Sequence, residues 1–246
     1  MSDFSRRTFV KSLGAAAMLP AAIAAPALTV AASAGAATAT AAPDTPFYLF
    51  FNAEEVAFME AACERLIPAD ENGPGALQAW VPNYFDKQLG GGWGAGERLY
   101  RSGPWQEGTP TQGYQLPFTP AELFRTAIRA INAEFSAQDK AFNALDADAQ
   151  DAYLKTLQAG GKDLGGVPAG VFFELLLKMT VEGYFADPVY GGNKDMLAWR
   201  MIGFPGAYAN YYEAIDAHGV AFVREPMSLA EDGHGHMHPA NIPASL

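Results

Sequence analysis

The chain has 246 residues, half of them hydrophobic, with 16 Lys plus Arg against 27 Asp plus Glu and a formal charge of −11. So acidic a balance excludes a surface built to hold nucleic-acid phosphates and gives no attraction to an anionic membrane surface. A single cysteine, Cys63, excludes intramolecular disulfides and thiolate metal clusters.

Residues 1–42 stand apart from the rest. Arg6, Arg7 and Lys11 precede a mildly apolar stretch from Leu13 to Ala32, and small-residue sites follow at Ala32–Ala34 and Ala39–Ala41. The stretch is long enough to span a bilayer. Its strongly apolar residues are sparse, however, and Pro20 and Pro26 interrupt it, so a cleaved signal is expected rather than a permanent anchor. Ser5 to Lys11 reads "SRRTFVK", with Phe9 two residues after the arginine pair, and resembles a twin-arginine export signal. That resemblance implies the twin-arginine translocase as a partner, transport in the folded state and a periplasmic location. Without residues 1–42 the chain keeps 13 basic and 26 acidic side chains, a charge of −13, which suits solubility. Residues 43–230 are then expected to form a single helical domain with a sizeable core, since roughly two hundred residues suffice for one. Residues 231–246 read as a flexible tail containing His234, His236 and His238.

From Asn52 onward the pattern is helices broken by long Gly/Pro loops, mostly α, with no strand predicted. Asn52 and Glu55 form a capping pattern that opens a helix ending near Pro68. Val56, Met59, Cys63, Leu66 and Ile67 share one stripe of it, which favours a buried, inert thiol over pairing with another chain. A second helix is expected over "GALQAWVPNYFDKQLGGG", with Pro82 marking its first turn or a kink. Residues 90–117, dense in Gly, Pro and aromatics, should be an ordered loop on the surface. Thr119-Pro120-Ala121-Glu122 is a helix start, and Phe124, Ile128, Ile131 and Phe135 form the stripe it buries. Ser136 to Asp139 reads as a cap opening a short helix through Leu145. Asp146 opens another that ends at Gly160-Gly161. After Pro168 comes "AGVFFELLLKMTVEGYF", apolar nearly all round and expected to be central. Residues 206–219 read as a last helix closed by Gly219.

Chemistry is sparse. "GGGWGAG", Gly90 to Gly96, does not satisfy the dinucleotide spacing, and "GGKD" lacks the hydroxyl residue of a phosphate loop. The alternate histidines of "DGHGHMHP" have a ligand-like spacing, but no packed surroundings support a resident metal. Glu174 and Glu182 lie eight apart on one helix, either as a carboxylate pair with raised pKa or as an exposed edge. Nothing nominates a nucleophile–base pair.

The segment from Gly183 to Ala207, "GYFADPVYGGNKDMLAWRMIGFPGA", closely resembles the hallmark of the small subunit (subunit 3) family of bacterial gluconate 2-dehydrogenase. The resemblance extends to "ERLIPAD" (Glu64–Asp70), to "FFELLLKMTVEGYF" and to "REPMSLA" (Arg224–Ala230). It implies a non-catalytic subunit of a membrane-associated periplasmic sugar or sugar-acid dehydrogenase. FAD would reside in a partner flavoprotein of the glucose–methanol–choline type, and haem c in a multihaem cytochrome subunit that often completes the complex. The small subunit would aid the flavoprotein's maturation and export. The resemblance brings no catalytic, cofactor-binding or metal residues into this chain.

Read from its residues, the segment is a rigid turn array. Asp187-Pro188 restricts the exit from the preceding helix. Gly191-Gly192 permits positive φ or close approach. Asn193 can start a helix holding Trp199, and Gly203-Phe204-Pro205-Gly206 closes it. Lys194, Asp195 and Arg200 are then expected to project from this platform. Tyr184, Phe185, Tyr190 and Trp199 suit either partner docking or the core. Two other readings stay open: a free-standing periplasmic enzyme using a carboxylate such as Glu182, and a sugar-binding module using Trp93, Trp105 and Trp199.

Overall fold

The structure, a computed structural model, describes residues 46–106, 108–109, 111–112, 114–206, 216, 218–220 and 224–229. Arg6, Arg7, Phe9 and Lys11 of the export signal, residues 207–215 and 217 of the expected last helix and the histidines of the tail lie outside them.

The described residues contain six α-helices and no strands: α1 (Ala53–Leu66), α2 (Val81–Gly90), α3 (Pro120–Ser136), α4 (Ala147–Ala159), α5 (Ala169–Phe185) and α6 (Leu197–Ile202). No helix among these residues is long and apolar enough to cross a membrane. Local chemistry sets most of the ends. Asn52 and Glu55 exchange capping hydrogen bonds at the start of α1, and Thr119 and Glu122 do the same at α3. The Asp146 side chain accepts from the Ala149 amide, and α4 closes at Gly160, whose φ is 73°.

Two expectations need correction. Ser136 does not open a helix; it ends α3, and its carbonyl accepts from the Asp139 amide in a turn. A single 3-10 turn, Phe142–Ala144, follows, because Phe142 must enter the core at 1 % exposure. The second helix starts only at Val81. Residues 76–80 are turns that end at Trp80 in a left-handed conformation, which leaves Pro82 in the helix's first turn, where its missing N–H costs nothing.

One core joins the helices. Phe85, Phe124, Phe172, Phe58 and Phe142 form a continuous aromatic chain with ring centroids 5.0–6.2 Å apart, each such pair adding about 1 kcal/mol beyond the area it buries. Leu123, Ile128, Ile131, Leu157 and Leu176 fill the space around it. Helix α5 packs on α2, α3 and α4 and is the central element, as its composition predicts. It is not buried all round: Leu177, Val181 and Phe185 are 38–44 % exposed.

The chain's entry is also fastened. Asp86 on α2 is buried, and its carboxylate accepts from the amides of Leu49, Phe50 and Phe51 at 2.8–2.9 Å. Its place between Phe85 and Lys87 gives no hint of this role.

Candidate functional site

The segment after α5 folds as a sequence of tight turns. Asp187 caps the 3-10 turn Pro188–Tyr190 by accepting from the Val189 amide at 3.0 Å. Gly191 follows with φ 96°. Gly192 faces the backbone of α5, and a Cβ there would lie 2.1 Å from the Gly183 carbonyl oxygen, so this position takes no side chain. Asn193, Asp195 and Met196 have φ of 47°, 53° and 55°. A left-handed methionine is strained by about 1–2 kcal/mol, and such a geometry persists only where its surroundings over-determine it.

The surroundings are buried hydrogen bonds. Asn193 is fully buried; its amide nitrogen donates to the Ala186 carbonyl and its amide oxygen accepts from the Ala198 amide, both at 2.9 Å. It therefore ties the end of α5 to the start of α6. Asn83 of α2, also buried, donates to the Gly191 carbonyl at 2.8 Å. The Trp199 indole donates to the Phe185 carbonyl at 2.9 Å, and the Tyr184 hydroxyl donates to the Pro74 carbonyl. Burial raises the Tyr184 pKa above its ordinary value.

The array also holds the returning chain. Asp187 is buried and accepts from the Ser228 hydroxyl and the Leu229 amide, each at 2.8 Å. The Met227 amide donates to the Pro205 carbonyl at 3.1 Å beside Gly206, whose φ of 79° and close approach to Met227 exclude a larger residue. Met227, Ser228 and Leu229 thus pack on the segment that follows α5.

The structure therefore divides the residues singled out from sequence. Tyr184, Asp187, Pro188, Gly191, Gly192, Asn193, Trp199 and Gly206 are buried scaffold. Phe185, Tyr190, Asp195 and Gly203 are exposed, and Pro205 is intermediate. Lys194 does not project: its ammonium sits 4.6 Å over the Trp80 ring. Arg200 approaches Glu225 at 3.9 Å. Asp195 and Arg200 are exposed as the expected platform requires, and Lys194 is not. Asn83 and the buried role of Asp187 were not signalled, because both depend on partners over forty residues away.

The other candidates separate as cleanly. Cys63 is fully buried, with its sulfur 3.8 Å from the Thr180 hydroxyl, and burial pushes its thiol up to about 12. Pairing with another chain is excluded by that burial. Glu174 and Glu182 are both exposed, and Lys178 lies 3.8 Å from Glu182. They are an exposed helix edge rather than a buried carboxylate pair. Gly90–Gly96 follows α2, not a strand, and a Cβ at Gly94 would lie 1.9 Å from the Leu89 carbonyl. Those glycines let the chain turn back on its own helix and form no dinucleotide cradle. No group of three metal-ligating side chains occurs among the described residues.

A feature not read from sequence lies along the first half of α5. The aromatic loop and the first half of α5 enclose a groove of about 960 Å³, with Trp105, Tyr114, Leu116, Val171, Glu174 and Leu175 among its walls. Burial pushes the Tyr114 hydroxyl up to about 12, and it donates to the Phe118 carbonyl at 2.7 Å.

The class is thus an all-α domain whose glycine-rich segment is a structural clasp with no reactive pair built into it. Residues 53–206 match the family model of gluconate 2-dehydrogenase subunit 3, and the chain belongs to that family. The family name describes a subunit of a dehydrogenase complex. No curated protein and no solved structure gives a significant match to the chain.

Proposed function

We propose that this chain is the non-catalytic small subunit of a periplasmic, membrane-associated flavin dehydrogenase acting on a sugar or sugar acid. It binds the FAD-bearing subunit of the glucose–methanol–choline type, aids its maturation and carries it through the twin-arginine translocase. A multihaem cytochrome c is a further partner of the complex. The observation that carries this reading is the family match over residues 53–206, which spans α1 to Gly206 and so includes the whole clasp. The arginine pair Arg6-Arg7 supports the export role, since a signal read on folded proteins allows one chain to bring a folded companion with it.

The test is the double change Arg6→Lys, Arg7→Lys in cells that also make the flavoprotein. The expected outcome is flavin dehydrogenase activity retained in the cytoplasmic fraction and lost from the periplasm. Normal periplasmic activity in that strain would sink the carrier role. The purified chain alone is expected to oxidise no sugar, measured with an artificial electron acceptor, and turnover there would instead favour a free-standing enzyme.

A further inference from the structure

Helical spacing places Val171, Glu174, Leu175, Lys178, Glu182 and Phe185 on a single face of α5, opposite the buried Phe172, Leu176 and Met179. The first four line the groove against the aromatic loop. Beyond the groove the same side of the helix carries Val181, 44 % exposed, and ends at Phe185, 38 % exposed. Phe185 is the last residue of α5, so this face ends where the clasp begins. A helix of 17 residues is about 25 Å long. A mixed groove whose face continues along the helix through Lys178, Val181, Glu182 and Phe185 fits a polypeptide better than a small molecule.

The charges indicate which polypeptide. Lys178 is matched by Glu182 at 3.8 Å, and Arg101, beside the groove's aromatic wall, by Glu122 at 3.4 Å. Glu174 makes no ion pair among the described residues. It stands at the wall of this mixed groove in a chain of net charge −11, where a cationic side chain of the occupant is its electrostatic complement.

We propose that this face seats a segment of the flavin-bearing subunit, its apolar side chains in the groove beside Leu175 and a Lys or Arg against Glu174. The proposal rests on the small-subunit reading above and adds where the partner sits: on the outward side of α5 and the aromatic loop, with the buried residues of the clasp holding that surface in place.

The experiment co-expresses the full-length chain, tagged, with the dehydrogenase and measures retained flavin, the retained protein being identified by mass spectrometry. Glu174→Arg and Val181→Glu change exposed positions, and Lys140→Glu, beside a separate small cavity with Glu54 and Asn132, is the control. Wild type and Lys140→Glu should retain the flavoprotein equally, while each face variant retains about tenfold less, the loss of a central interface contact. A photo-cross-linker at Lys178 should capture a dehydrogenase peptide containing Lys or Arg, which decides the matter even if a face variant folds poorly. Undiminished retention by both face variants, or cross-links to a cytochrome or to a second copy of this chain, would overturn the docking face and leave the small-subunit reading intact. A wild-type chain that retains no flavoprotein would overturn the small-subunit reading itself.

Discussion

The clasp after α5 and the loop between α2 and α3 look alike in composition, both rich in Gly, Pro and aromatics, yet they are built on opposite principles. In the clasp, the polar side chains point inward and bridge distant segments: Asn83 to Gly191, Asn193 to both neighbouring helices, Asp187 to Ser228 and Leu229. In the loop the side-chain bonds are mostly local, such as Thr109 to Gln112 and Tyr114 to Phe118, while Tyr100 is 83 % exposed and Trp105 39 %. A buried, unsatisfied polar group costs about 1–3 kcal/mol, so each inward bond makes the clasp intolerant of change. Among its described residues before Thr119 the loop has no buried polar side chain, and Trp93, Tyr100 and Trp105 stay exposed. The difference teaches that a segment's unusual composition and its availability to a partner are separate properties.

The contrast is broken most directly at Gly192. Gly192→Ala forces a Cβ against the α5 backbone at Gly183 and is expected to cost about 4 kcal/mol. A melting temperature unchanged by that substitution would show that the clasp is not rigid. Asn193→Ala removes both bonds that join α5 to α6 and leaves a left-handed alanine, an expected loss of about 3 kcal/mol by urea unfolding. Asp187→Ala acts more locally. It should cost about 2 kcal/mol and speed proteolytic cleavage near Ser228 and Leu229 while the core helices stay protected from hydrogen exchange. Trp105→Ala, on the loop, is expected to change stability by only about 0.5 kcal/mol; a loss as large as that of Asn193→Ala would erase the distinction.

The smallest effect is on pH and falls outside both regions. Hydrogen bonds from Arg65 hold the Asp151 carboxyl below its ordinary range. At Glu134 burial acts upward, but bonds from Lys162 and Tyr153 prevail and the net shift is downward. A depressed carboxyl stabilises the fold above its unfolded pKa and loses that contribution as pH falls through the folded value. Both pairs are about a third exposed, so each should contribute about 0.5 kcal/mol. Stability should therefore fall only slightly as the solution is acidified below about pH 4, with the joins of α4 to α1 and α3 weakening before the clasp. Arg65→Gln should remove part of that slope.

Sequence alone determined whatever depends on near neighbours. The capping boxes at Asn52 and Thr119, the stop at Gly160, the apolar stripe of α3 and the positive-φ glycines all follow from residues within a few positions of one another. It also determined the family, because the hallmark is long and unusual. It misread Ser136, where a local cap signal lost to the core's demand for Phe142. Tertiary structure decided which aromatics are interior. Tyr184 and Trp199 are buried and Phe185 and Tyr190 surface, and beyond the end of α5 no periodicity separates Tyr190 from Trp199, since the chain turns after every few residues. It also decided the roles of Asp86, Asn83 and Asp187, and brought the aromatic loop to α5 to make the groove. Hydrogen bonds and cavities formed between segments tens of residues apart are properties of packing, and no local pattern in the chain encodes them.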